Sequence, residues 1–158
     1  YSSSMSRAVQ TTEIMLASMG QEGRKFSEVD EIIEQQVHGW RGVRSSDVMS
    51  SEMISYMRTK GSHFVPPDGE SFSMVQRRMS GWLEDEIIYN EPLVSTNSSV
   101  TIAIVGHGIS GKCLFHYIMG FDDRFIEKLE LNNCSISRFV FSREGWRVVC
   151  LNDSYHMK

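Results

Sequence analysis

The stretch VGHGISGKC, Val105 to Cys113, fits two phosphate-loop patterns at once. Gly106, Gly108 and Gly111 spell the G-x-G-x-x-G of a dinucleotide-binding turn, and Gly106 to Cys113 spell G-x-x-x-x-G-K with cysteine where a P-loop has Ser or Thr. A dinucleotide fold needs an acidic residue about 20 positions beyond the glycines and further βα units. Glu130 could serve as that acid, but only a hairpin pattern follows it, and the bulk of His107 would crowd the turn where pyrophosphate approaches. The P-loop hydroxyl holds Mg²⁺, a hard cation that prefers oxygen, and Cys113 offers soft sulfur instead. Both readings fail, which leaves a tight strand-to-helix turn with His107 at its centre. The apolar run Thr101-Ile102-Ala103-Ile104-Val105 before it predicts a strand buried on both faces, and Lys112 to Met119 a helix after it.

Working toward the N terminus, Gly61 to Gly69 contains Pro66-Pro67-Asp68-Gly69, which predicts an ordered loop. Ser71 reads as a cap for an amphipathic helix carrying Phe72, Val75, Met79, Trp82 and Leu83 at spacings of three and four. Tyr1 to Ser4 predicts a strand end and Met5 to Met19 a helix, with Val9, Ile14 and Leu16 as its apolar positions. Ser2 and Ser4 read as caps of the intervening turn. Glu28 to Ile33 is expected to be extended, and Val48 to Met57 helical with Val48, Met49, Met53, Ile54 and Met57 on one side. Asn90 to Ser99 is the most linker-like stretch. Ser135 to Phe141 and Trp146 to Leu151 predict a hairpin around Ser142 to Gly145.

The bulk properties narrow the function. With 158 residues, 41% of them hydrophobic and 23% charged, the chain has the composition of one domain spanning 1–158 with a real core. A net charge of −4 gives no basic footprint for nucleic acid, and no apolar or polybasic run suggests a membrane. Cys113, Cys134 and Cys150 are an odd number at no metal-like spacing, which suits reduced thiols. The expected location is therefore intracellular, the cytoplasm first and an organelle left open. Asn97, Asn133 and Asn152 begin sequons that read as chance matches.

Five stretches in order resemble the motifs of the histidine phosphatase superfamily, the phosphoglycerate mutase-like family. YSSSMSRAVQTTEIM is similar to its strand-turn-helix, IIEQQVHGWRG to its acid-bearing loop, and PPDGES to its Gly-Glu-Ser turn. VGHGISGKC resembles its second histidine motif, and NCSISRFVFSREGWRVVCLNDSYHM its closing hairpin and terminal segment. The resemblance implies a three-layer α/β/α sandwich with a mainly parallel sheet and an edge hairpin. It implies phosphomonoester hydrolysis through a phosphohistidine, with no cofactor and no metal, because arginine and histidine supply the positive charge. The expected partner is a small phosphorylated substrate; the oligomeric state stays open.

Carried over residue by residue, the resemblance gives Arg7, His107 and Gly108 as phosphate-binding and His107 and Glu34 as catalytic. A planar guanidinium can hold two phosphoryl oxygens at once. Glu34 is expected to protonate the leaving oxygen, for which a carboxyl group must hold a proton near neutral pH. Glu70 is the secondary candidate for that role. His156 and Asn152 are expected to tie down the chain end. The family's nucleophile lies in an Arg-His-Gly motif on a first, central strand, and these residues contain no Arg-His-Gly. The chain begins with Tyr1 rather than methionine, so the nucleophile is expected in a segment before residue 1. Without that strand, two strand edges and an apolar trough are expected to lie unpaired. One alternative is a truncated, catalytically inactive relative that binds phosphate-bearing ligands or partners; another is a mutase-type phosphotransferase.

Overall fold

Residues 1–95 and 98–157 are described by a computed structural model; Asn97, the first sequon position, and part of the linker-like stretch lie outside the described residues. The chain mixes helices with short strands. β1 (Ser2–Ser3) leads into α1 (Ser6–Ser18). β2 (Glu28–Val29) follows, and then a 3-10 turn at Asp30–Ile32. α2 (Ser45–Val48) and α3 (Ser51–Lys60) precede α4 (Phe72–Leu83), which continues into a π turn at Glu84–Ile88. After α5 (Glu91–Val94) come α6 (Gly108–Met119) and the hairpin of β3 (Ile136–Ser142) and β4 (Gly145–Asp153).

β1 runs parallel to β2, with Ser2 opposite Glu28, and on its other side Ser2 pairs in parallel with Val105. The Ser3 amide donates to the Val105 carbonyl at 2.9 Å and the Val105 amide to the Tyr1 carbonyl at 3.0 Å. Both edges of β1 are therefore bonded. The 101–105 run differs from its prediction. Only Val105 forms a bridge, and Thr101 and Ala103 are exposed. An apolar run signals a buried strand only if both faces are covered, and these are not.

The core is made by α4 and α6. Val75, Met79, Trp82 and Leu83 of α4 are buried together with Cys113 and Leu114 of α6, Val29, Ile32, Ile88 and Ile126. Each such side chain contributes roughly 1.5–3 kcal/mol by leaving water. Ser71 caps α4 as its spacing predicts, its hydroxyl accepting the Met74 amide at 3.2 Å. Tyr1 packs edge-on against Trp82, with ring centroids 5.2 Å apart. The helix predicted over 48–57 is broken, because Ser50 accepts the Met53 amide and starts α3 afresh. α1 buries Ala8 and Thr12, whereas Ile14 is 71% exposed. Ala8 and Thr12 lie four apart and share one face, which the larger side chains obscured in the sequence.

α6 begins at Gly108, four residues earlier than predicted, and ends at Met119, with Gly120 as its C-cap. There a left-handed φ of 64° lets the Gly120 amide reach the His116 carbonyl at 2.9 Å. The antiparallel hairpin reaches the body through Phe139, whose ring centroid lies 5.0 Å from that of Phe115.

Candidate functional site

The site forms where β1, the loop after β2 and the N terminus of α6 meet. The bridge between Ser2 and Val105 brings Arg7, on the first turn of α1, to His107, which is one hundred residues distant in sequence. Arg7 Nε donates to His107 Nδ1 at 3.2 Å. The other ring nitrogen, Nε2, lies 2.8 Å from Ser3 Oγ. Burial, and then the Arg7 charge, hold His107 below the usual histidine pKa; Glu34 opposes them and Arg78 adds to them.

Glu34 reaches the start of α6 from the loop after β2. Its Oε2 accepts the Ile109 amide at 3.1 Å, and its Oε1 accepts the amides of Ser110 and Gln35, each at 2.9 Å. The first amides of a helix lack partners within it and carry partial positive charge, so a carboxylate is a natural cap there. His107 stands in the N-cap position of α6 without capping it by its side chain, and Glu34 does so instead. Gly108 lies so close that a Cβ on it would sit 3.9 Å from Glu34 Oε2.

Glu70 is held differently. Arg78 binds it through two parallel bonds, Nε to Oε1 and Nη2 to Oε2, both 2.9 Å, and the Gln36 amide donates to Oε2 at 3.2 Å. Burial pushes the carboxyl up, yet the hydrogen bonds from Arg78 and the Gln36 amide and the Arg78 charge outweigh it and leave it below the usual glutamate pKa. Arg78 also donates to the carbonyls of Glu31 and Glu34, and thereby ties the acid-bearing loop to α4. Two close backbone approaches complete the loop. The Gly39 amide donates to the Pro67 carbonyl at 3.0 Å and the Glu70 amide to the Gln36 carbonyl at 2.9 Å. A Cβ on Gly69 would lie 2.4 Å from that Gln36 oxygen.

The structure therefore brings Arg7, His107, Gly108 and Glu34 together, and joins Glu70 to them only through Arg78. The sequence reading missed Ser3 and Arg78. Ser2 and Ser4 were the expected caps, but Ser2 Oγ donates to the Ser3 carbonyl and Ser4 Oγ to Asp30; it is Ser3 that accepts the Met5 amide, at 3.3 Å. Arg78 could have been noticed as a charge at the edge of the apolar face, between Val75 and Met79. Asn152 ties the chain end as expected, its side-chain oxygen accepting the Asn132 amide at 2.7 Å. His156 lies exposed in a terminal 3-10 turn. Burial pushes the Cys113 thiol up to about 12, which makes it inert. Among the described residues no helix is long and apolar enough to cross a membrane.

Comparison with the curated proteins found no match. Among solved structures, the mycobacterial glucosyl-3-phosphoglycerate phosphatase in complex with inorganic phosphate superposes with a TM-score of 0.77 at 17% identity, covering 96% of this chain and 75% of that one. The α-ribazole phosphatase of Shigella flexneri gives 0.75 at 18% identity, with 96% and 71% covered. A phosphoserine phosphatase mutant of Entamoeba histolytica in complex with phosphoserine gives 0.72 at 16% identity, with 92% and 71% covered. At such identities these likenesses establish the α/β fold alone. The model of the histidine phosphatase superfamily, branch 1, matches residues 1–154, and the chain is a member of that family.

Proposed function

We propose that this chain is the phosphate-binding and proton-donating part of a phosphomonoester hydrolase that works through a phosphohistidine, with the nucleophilic histidine carried outside residues 1–158. The observation that carries the reading is the convergence of the Arg7 guanidinium, the His107 ring and the Glu34 carboxylate at the start of α6. Phosphoryl transfer needs fixed donors for the equatorial oxygens and a proton for the departing one. Arg7 and His107 supply the donors, and Gly108, exposed at the start of α6, leaves the phosphate room to approach. Glu34 supplies the proton once one of its oxygens leaves an α6 amide, takes up a proton from solvent or from the phosphate monoanion, and then passes it to the departing oxygen. Glu70 suits that role poorly, since the Arg78 guanidinium holds its carboxylate in a two-bond ion pair that keeps it ionised, whereas Glu34 is held by backbone amides. The phosphatase reading is preferred to the mutase one because PPDGES is short and carries no extended insertion.

The test starts with the protein from its native source, whose N-terminal sequence and intact mass are read before its turnover of p-nitrophenyl phosphate is measured. Hydrolysis that Arg7→Ala and His107→Gln each reduce at least a hundredfold, together with acid-labile phosphate on a histidine, is the expected result. Unchanged turnover in both variants overturns the site. Binding of orthovanadate without any turnover by the native protein favours the inactive, ligand-binding relative instead.

A further inference from the structure

The ring of His107 has a proton count that follows from the donors around it. A guanidinium can only donate, so Nδ1, which takes the Arg7 bond, must carry a lone pair. A neutral imidazole then has its one proton on Nε2, which donates it to Ser3 Oγ at 2.8 Å. Ser3 is fully buried, and its hydroxyl oxygen also accepts the Met5 amide. Neither lone pair of that oxygen is idle, and the ring is pinned from its inner side. The nitrogen that faces Arg7, and with it the exposed side of the site, is Nδ1.

That nitrogen has nothing to donate to an oxyanion. For Arg7 and His107 to grip a tetrahedral oxyanion together, their mutual bond must open and Nδ1 must gain a proton from solvent. We propose that Ser3 is a positioning residue that holds His107 as its Nε2–H tautomer with Nδ1 toward the ligand, so that binding of a phosphate-like dianion is coupled to uptake of one proton at Nδ1. The proposal rests on the phosphate-site reading above and deepens it. The charged groups that act on the ring are Arg7 from α1, Glu34 from the loop after β2 and Arg78 from α4. Burial and the two arginines disfavour the protonated ring; the charge of a bound oxyanion against Nδ1 opposes them.

The test uses ¹⁵N spectra of the histidine ring nitrogens in the 158-residue chain, with the His107 signals identified by their loss in His107→Gln. Sulfate is the probe, because it has no proton of its own to exchange in this pH range. In the free chain at pH 7.5, Nε2 should be protonated and Nδ1 bare; saturation with sulfate should protonate both. Sulfate affinity should rise by up to about tenfold per pH unit as pH falls, until the free ring itself titrates. Ser3→Ala should release the ring to a mixture of tautomers and weaken sulfate about fivefold, the effect of one hydrogen bond. A free wild-type ring with its proton on Nδ1 overturns the proposal, and that measurement stands even if Ser3→Ala does not fold. A folded Ser3→Ala chain with the wild-type tautomer also overturns it. Absence of any sulfate effect, with the Nε2–H tautomer in place, overturns the phosphate-site reading and the proton coupling, but leaves the hold of Ser3 on the ring standing.

Discussion

On the acid side of the site, Glu34 and Glu70 are each bonded through both oxygens to backbone amides or to Arg78, whereas on the basic side Arg7 and His107 are bonded to each other. The first arrangement is part of the architecture. On the proposed reading, the second can be opened by an anion that offers both residues a better partner. The acid side then carries folding stability, and the basic side is where a ligand would bind. A carboxylate placed in a fold has to be satisfied by donors, and the loop supplies them from backbone. Two cationic donors cannot satisfy each other, and one of this pair must give up its proton to make the bond.

The contrast can be broken most directly at Arg78. Arg78→Ala leaves the largely buried Glu70 carboxylate without its main partner and frees two carbonyls, and should cost about 3 kcal/mol in urea unfolding. A loss under about 1 kcal/mol would mean that the acid side is not structural. Gly69→Ala should follow at about 2 kcal/mol, because its Cβ would meet backbone rather than a movable side chain. The pH dependence sharpens the basic side. The folded pKa of His107 is depressed below the usual 6.5, so its unfolded form binds the extra proton. Its stability contribution is present above pH 6.5 and lost as pH falls toward the depressed value; thermal melts of the ligand-free chain should lose this slope in His107→Gln. The smallest effect is expected at Ser110, whose buried hydroxyl has no hydrogen-bond partner among the described residues. Ser110→Ala should be neutral or stabilising by up to about 1 kcal/mol by the same unfolding measurement, since it removes an unsatisfied group.

The sequence carried this contrast unevenly. Arg7, Glu34 and His107 were found because each stands in a motif whose neighbours are themselves distinctive, and α4 because its apolar spacing is regular over three turns. Ser3 was hidden within a run of three serines, where composition cannot say which hydroxyl faces inward. That choice is made by β1, whose pairing on both sides buries Ser2 and Ser3 alike and brings only Ser3 to the histidine. Arg78 was hidden because a surface charge and a buried clamp look the same in a helical pattern. The strand over 101–105 was overread, since hydrophobicity reports the tendency to be covered and not whether a cover is present.

Glu34 has a further consequence through the amides it caps. Ile109 and Ser110 keep their carboxylate partner only while Glu34 points into α6. On the reading proposed above, in which Glu34 delivers a proton, the first turn of α6 is a reporter of the acid's position written into the backbone. Its two amide signals should then tell, without any label on a ligand, what fraction of the time Glu34 spends at rest.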